Sequence, residues 1–304
     1  MSMLSVVLPS YNEEAMIKRT AKVMASVLER EWIEYELVFV DDGSSDSTWE
    51  EIRHAARDNA KVHGVHFSRN FGKESAIFAG LASAKGDCVA VMDCDLQHPP
   101  QTVVEMYRLW EQGYEVIEGV KRSRGDESLF HRMSAITFYR WMSMAAKMDM
   151  THASDFKLLD RKVVDVLLAM PEKNAFFRAL SGWVGFRTIS VEFDVQEREA
   201  GVSKWTTRSL IRYGVSNIAG FTSLPLHLIL WIGGFALLAA FILGLQTIVR
   251  YCMGKAVEGF TTVILLILLM GSLIMISLGV IGYYIARIYE EVKGRPRYII
   301  SATI

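Results

Sequence analysis

The chain has 304 residues, is 51% hydrophobic and carries 33 Lys and Arg against 34 Asp and Glu, which is more apolar than an ordinary soluble protein. The even total hides an asymmetry: residues 1–197 hold 23 basic and 30 acidic side chains, and residues 198–304 hold 10 and 4. The basic third is also the apolar third, which suggests a membrane with anionic headgroups as partner and gives no reason to expect nucleic acid.

From the start to about residue 120, short β-branched runs alternate with longer amphipathic stretches, the pattern of a parallel sheet flanked by helices. Strands are predicted over 4–8, 36–40, 62–67, 88–92 and 115–119, and helices over 13–30, 46–58, 73–84 and 100–112. The first strand, Leu4-Ser5-Val6-Val7-Leu8-Pro9, has no basic leader or long apolar run before it, so no cleavable signal peptide is expected. After the fifth strand a polar loop, 121–128, reads as an active-site segment. A helix over 128–147, a helical stretch through 160–181 and a strand near 187–193 follow. Cys88, Cys94 and Cys252 fit neither a disulfide framework nor a zinc pattern.

Leu224 to Val249 is 26 residues without a charge and Phe260 to Ala286 is 27, each beyond the ~20 needed to cross hydrocarbon. They read as a transmembrane hairpin, 224–250 and 260–286, preceded by an interfacial amphipathic helix over 206–223. Seven basic residues flank the hairpin outside (Lys204, Arg208, Arg212, Arg287, Lys293, Arg295, Arg297) and two lie in its link (Arg250, Lys255). That count orients a catalytic domain over 1–205 and a tail over 287–304 to the cytoplasm. A two-helix anchor of this kind leaves a homo-oligomer open.

Chemistry concentrates at the predicted strand ends. Asp93-Cys94-Asp95-Leu96-Gln97-His98 places two carboxylates on one side of an extended chain after a buried strand, suited to holding Mg²⁺ or Mn²⁺ against a diphosphate. Asp41 and Asp42 follow the second strand; adjacent carboxylates repel, and a nucleoside N–H or hydroxyl is the expected external partner, although turn and helix capping accounts for the serines around them. Pro9-Ser10-Tyr11-Asn12-Glu13 brings polar groups to the same edge. Near the membrane, Arg198, Ser203 and Lys204 read either as solvated interfacial groups or as a clamp for phosphate.

Four ordered strings, Val7-Leu8-Pro9-Ser10-Tyr11-Asn12-Glu13, Asp41-Asp42-Gly43-Ser44, Asn70-Phe71-Gly72-Lys73 and Asp93-Cys94-Asp95-Leu96-Gln97, resemble those of family 2 glycosyltransferases with the GT-A fold. Within that family the chain is most similar to polyprenyl-phosphate (bactoprenol) glucosyltransferases, relatives of dolichol-phosphate mannose synthase. The likeness extends to the two spans and the ending Gly294-Arg295-Pro296-Arg297-Tyr298. It implies an α/β GT-A domain with a mostly parallel sheet. It also implies that Pro9, Tyr11, Asn12, Glu13, Asp41, Asp42, Lys73, Asp93 and Gln97 meet the nucleotide sugar, and that Asp93 and Asp95 bind the metal. Arg198, Ser203 and Lys204 would meet the acceptor or diphosphate, and Asp155 and Asp95 would be catalytic, Asp155 as a base at the acceptor. Where some relatives have an aspartate, this chain has His98, which receives no role.

A lipid monophosphate is largely dianionic at neutral pH, with a second pKa near ~6, so Asp155 could equally orient the acceptor. The reaction this implies is inverting transfer of one sugar, glucose first, from a UDP-sugar to polyprenyl (undecaprenyl) phosphate. N-acetylhexosamine and a modified pentose are the alternative sugars, and a non-catalytic nucleotide-sugar scaffold is the alternative role. A processive polysaccharide synthase is disfavoured by the absence of a Gln-x-x-Arg-Trp string, and a dinucleotide-binding oxidoreductase by the absence of GxGxxG after a strand.

Overall fold

The computed structural model describes residues 2–122, 154–172, 176–194, 224–254 and 259–304. The chain divides into two compact units, one running to Leu210 and including Pro296–Ile304, the other over Ile211–Arg295.

The first unit is built on strands β1 (Met3–Ser10), β2 (Glu34–Asp41), β3 (Val62–Phe67), β4 (Cys88–Val91), β5 (Val116–Lys121), β6 (Lys157–Asp160), β7 (Thr188–Phe193) and β8 (Ile300–Thr303). Its helices are α1 (Ile17–Arg30), α2 (Thr48–Asp58), α3 (Lys73–Ser83), α4 (Pro100–Glu111), α5 (Arg161–Ala169) and α6 (Phe177–Trp183). The strands form one sheet in the order β7-β5-β6-β4-β1-β2-β3-β8. β1 lies parallel to both β2 and β4, and β2 parallel to β3. The chain therefore winds one way from β1 to β3 and crosses back to β4, and the reversal between β1 and β4 opens a crevice at the carboxyl ends of the strands.

Each helix covers the sheet with the face its sequence supplies. α1 buries Ile17, Thr20, Ala21, Met24, Val27 and Leu28, the i, i+3, i+4, i+7 spacing of one stripe. α3 is buried along Ala76–Leu81, and its Gly80 lies so close to β1 that a Cβ there would stand 2.2 Å from Val7 Cγ1. Gly80→Ala is therefore expected to lower the unfolding temperature, because overpacking costs about 1–3 kcal/mol and outweighs the helix-propensity gain of about 1 kcal/mol. Restoration of the parent transition by adding Val7→Ala would confirm the cause, and a more stable single variant would refute it.

The strands predicted from the first 120 residues fall within two residues of those observed. The helical stretch predicted through 160–181 is not continuous. α5 stops at Ala169 because Met170 precedes Pro171 and is pushed to an extended backbone, with φ −69° and ψ 126°. Two strands were hidden in the sequence. β6 runs antiparallel to β4 and β5, and β8 runs antiparallel to β3. The predicted helices over 128–147 and 206–223 lie outside the described residues, as does 123–128 of the polar loop.

The second unit contains α7 (Leu224–Cys252) and α8 (Phe260–Val292). Within them Leu226–Arg250 and Leu266–Val292 are long and apolar enough to cross a membrane. Large apolar side chains such as Leu230, Trp231, Phe235, Met275 and Ile288 stand exposed along them, unlike the core helices of a soluble domain.

Candidate active site

The predicted site residues of β1, β2 and β4 gather at the crevice because each lies at the carboxyl end of its strand. β1 outruns β4, whose last partner, Val91, sits opposite Val7, so Pro9 has no β4 partner whose hydrogen bond it could lose. Beyond it the Asn12 N–H donates to Ser44 Oγ (2.9 Å), the Ser45 N–H donates to Asn12 Oδ1 (2.9 Å) and the Glu13 N–H donates to Thr48 Oγ1 (2.9 Å). The loops after β1 and β2 are thus stitched together, with Tyr11 exposed.

Asp41 and Asp42 do not depend on an external partner, which corrects the argument from their adjacency. Alternation along the strand end turns them apart. Asp41, fully buried, accepts from the Ser44 N–H (3.0 Å) and hydroxyl (2.5 Å), and its other oxygen lies 2.7 Å from His66 Nδ1. His66 is stacked on Trp49. Gly43 between these groups has φ +65°, and a Cβ on it would meet the Arg69 backbone at 2.3 Å, so only glycine closes this turn. Asp42 accepts from the Phe71 N–H (2.6 Å) and the Gly72 N–H (2.9 Å). Burial raises its pKa, and the two amides work against that rise. The effect is to fix the loop that starts α3, and with it Lys73.

Lys73 is the centre of the site. Its ammonium lies 2.5 Å from Asp93 Oδ1 and 3.0 Å from Asp155 Oδ2. Desolvation opposes its charge, but the two carboxylates prevail and hold its pKa above the usual range. Asp155 is buried and receives a forked pair of bonds from Arg178, Nε at 2.6 Å and Nη2 at 2.7 Å. Burial would raise its pKa, yet Lys73 and Arg178 hold it well below the carboxylate range. Asp155 is therefore a fixed anion and a weak base at neutral pH.

Asp93, with 36% of its side chain exposed, also has its N–H directed at His98 Nδ1 (3.3 Å). His98 stacks on Phe156 at 4.4 Å and is kept neutral mainly by burial, which lowers its pKa. It thus joins the Asp93 loop to the neighbour of Asp155. Asp95 is buried and accepts from the Gln97 N–H (3.1 Å) across a turn in which Leu96 has φ +56°. Among the described residues no group of three or more His, Cys, Asp and Glu side chains gathers as a metal cage. Two carboxylates fit a hard divalent cation that takes its remaining ligands from phosphate oxygens and water, and Lys73 now holds the Asp93 oxygen that such an ion would share.

Arg178 was not found from the sequence; its signal was a lone charge in the apolar run Phe176-Phe177-Arg178-Ala179-Leu180. Glu74 was missed as well. It accepts from the Phe177 N–H (2.9 Å), and burial, with the Asp155 charge adding, pushes its pKa up to about 7. A raised folded-state pKa means stability that is present below the unfolded value of ~4.3 and lost as pH rises toward 7. Glu74→Gln, which can keep the Phe177 bond, is expected to unfold at a higher temperature than the parent, with the gap widening by about 5–10 °C from pH 5 to pH 8. A gap independent of pH would contradict this. Arg198, Ser203 and Lys204 lie outside the described residues.

A sheet reversed between β1 and β4, an Asp-x-Asp after β4 and a paired-charge cluster at the carboxyl edge agree with the GT-A class of transferase that the sequence resembles. The chain belongs to glycosyl transferase family 2, whose pattern matches residues 5–167. It is 38% identical over 302 residues to the uncharacterized glycosyltransferase YkcC of Bacillus subtilis (strain 168), covering 98% of this chain and 93% of the other. It is 35% identical over 300 residues to the bactoprenol glucosyl transferase of Shigella phage SfII, covering 98% and 97%. The fold matches the Mycobacterium tuberculosis glucosyl-3-phosphoglycerate synthase, crystallised with Mn²⁺, UDP and phosphoglyceric acid, with a TM-score of 0.50 at 20% identity over 72% of this chain and 76% of that one.

Proposed function

We infer that this glycosyltransferase moves one sugar, glucose first among candidates, from a UDP-sugar to polyprenyl phosphate at the cytoplasmic face of a membrane, with inversion at the anomeric carbon. The observation that carries the reading is the cluster Asp93–Lys73–Asp155–Arg178, two anions and two cations alternating beside the Asp-x-Asp. Such a cluster can exchange partners when phosphates arrive without leaving a charge unpaired. The acceptor is supported by the bactoprenol glucosyl transferase relatives and by two helices long and apolar enough to span a bilayer.

In this mechanism an acceptor phosphate oxygen forms a bond to the anomeric carbon while the bond from that carbon to the donor diphosphate breaks, and UDP leaves with the electron pair. Asp93 and Asp95 would hold Mg²⁺ or Mn²⁺, which supplies charge stabilisation for the departing diphosphate. Lys73 can pass from Asp93 to a phosphate oxygen while remaining tied to Asp155. Arg178 offers a planar fork, and Asp155 keeps both cations aimed into the crevice. Asp41 and Asp42 shape the nucleoside end by fixing the loops on either side. Arg198, Ser203 and Lys204 are proposed to meet the acceptor.

The test is purified full-length protein with undecaprenyl phosphate, a panel of UDP-sugars, and Mg²⁺, Mn²⁺ or EDTA, with products identified by mass spectrometry. A singly glycosylated lipid monophosphate formed only with metal supports the reading. Glycosylation of a soluble acceptor while the lipid is ignored under every donor would reject the acceptor assignment.

A further inference from the structure

The ending Gly294-Arg295-Pro296-Arg297-Tyr298 carries no chemistry in the mechanism, yet Arg297 and Tyr298 are held by several contacts within the first unit. The chain leaves α8 at Val292 and re-enters that unit at Pro296. Arg297 then donates through Nη2 to the carbonyl of Met170 (2.8 Å) and to that of Glu172. Its guanidinium lies over the Phe78 ring, 4.5 Å from the centroid, and its own carbonyl accepts from Ser75 Oγ (3.4 Å). Tyr298 stacks on Phe67 at 5.0 Å, and Phe67 meets Phe71 edge-on. β8 follows, with the Gly64 N–H donating to the Ile304 carbonyl and the Ile304 N–H to the Gly64 carbonyl, both at 3.0 Å.

Two partners of Arg297 are on the helix that supplies Lys73, and two are in the segment between α5 and the helix that supplies Arg178. Phe78 and Ser75 are on α3, whose first residue is Lys73. Met170 and Glu172 open the segment that leads from α5 toward α6, which carries Arg178. On its other side Phe78 meets Phe177 edge-on at 6.5 Å, and the Phe177 N–H is the donor held by Glu74. One guanidinium therefore holds two carbonyls of the segment that follows α5 and packs on the ring against which α6 rests. Hydrogen bonds from a charged donor of this kind are stronger than neutral ones.

We propose that Arg297 is a positioning residue of the transferase. By tying α3 to the chain that enters α6 it sets the spacing at which Lys73 and Arg178 converge on Asp155, and the residues after the second apolar helix are a working part of the catalytic unit. This rests on the reading of that cluster as the active site.

The experiment compares full-length parent, Arg297→Gln and Arg297→Lys by hydrogen exchange and by turnover. In Arg297→Gln the amides of Ala76, Phe177, Ala179 and Leu180 are expected to exchange about 10-fold faster, with smaller changes in the centre of the sheet. Arg297→Lys, which keeps the charge and loses the planar group over Phe78, should fall between the two and serves alone if the glutamine variant does not fold. With a UDP-sugar that the parent uses, kcat should fall about 10-fold and KM for the donor change less than about twofold. Adding Arg297→Gln to Arg178→Lys should cost less than the two changes cost separately, since both act through the same contact with Asp155. Faster exchange confined to 296–304, uniform loosening of the whole unit, or additive losses in turnover would overturn the proposal. If the parent turns over no donor, the reading of the reaction fails, and the exchange pattern still decides the role of Arg297.

Discussion

Asp155→Asn is expected to lower kcat about 100-fold while the acid limb of the remaining activity stays where the parent has it. Asn can occupy the same volume and accept one bond from Arg178, but it cannot balance two cations, so Lys73 and Arg178 would repel across it. The informative quantity is the pH dependence. Because Lys73 and Arg178 hold the Asp155 carboxyl well below the carboxylate range, it stays ionised throughout ordinary assay conditions. If it removed a proton from a monoanionic acceptor, parent turnover would continue undiminished below the second phosphate pKa of ~6. If the dianion attacks directly and Asp155 orients the cations, kcat should decline as pH falls through about 6 in parent and variant alike. A parent profile that is flat to pH 5 would restore Asp155 as the base.

The ends of β1, β2 and β4 were legible because two kinds of sequence signal coincide there. The runs before Tyr11, Asp42 and Asp93 are β-branched and apolar, and the residues after them are polar, acidic or glycine. Parallel sheets concentrate ligands at that edge, so locating the strands also located the site. What stayed hidden depends on contacts distant in sequence. β6 is four residues long with a lysine in it, and only its place between β4 and β5 makes Lys157-Leu158-Leu159-Asp160 a strand. β8 is equally short, and it pairs with β3 across more than 230 residues of chain, which no local pattern encodes. The error over Asp41 and Asp42 has the same origin. Repulsion between neighbours in sequence was a sound premise, but His66 and the Phe71 and Gly72 amides that relieve it come from elsewhere in the chain. Arg178 was invisible for a related reason: an arginine in an apolar helix acquires a function only once Asp155 is placed opposite it.

The site rests on a second buried charge pair, and breaking it should produce a large loss of stability in the first unit. Lys157, two residues after Asp155 and the first of β6, is fully buried. Its ammonium is paired with Glu118 on β5 and donates to Ser181 Oγ (2.7 Å) and to the Arg178 carbonyl (3.3 Å). It thus joins β5, β6 and α6 directly behind the fork that Arg178 presents to Asp155. Burial works against its charge and lowers its pKa, and Glu118 opposes that shift. Replacing Lys157 by Met keeps the length of the side chain and removes the cation. Glu118, with 17% of its side chain exposed, is then left with little water and no counter-charge. Breaking one partner of a buried pair costs about 3–5 kcal/mol, and the remaining exposure of Glu118 places this case near about 3 kcal/mol. For a domain of this size that is a fall of roughly 6–12 °C in the unfolding transition of the first unit. Lys157→Met combined with Glu118→Leu should recover most of the loss, because two packed apolar groups can replace a buried ion pair. The same double variant should still show reduced kcat, since neither new side chain can hold the Arg178 carbonyl or the Ser181 hydroxyl. A single variant within about 1 kcal/mol of the parent would show that the pair contributes no net stability, and full turnover in the double variant would show that Arg178 needs no support from behind.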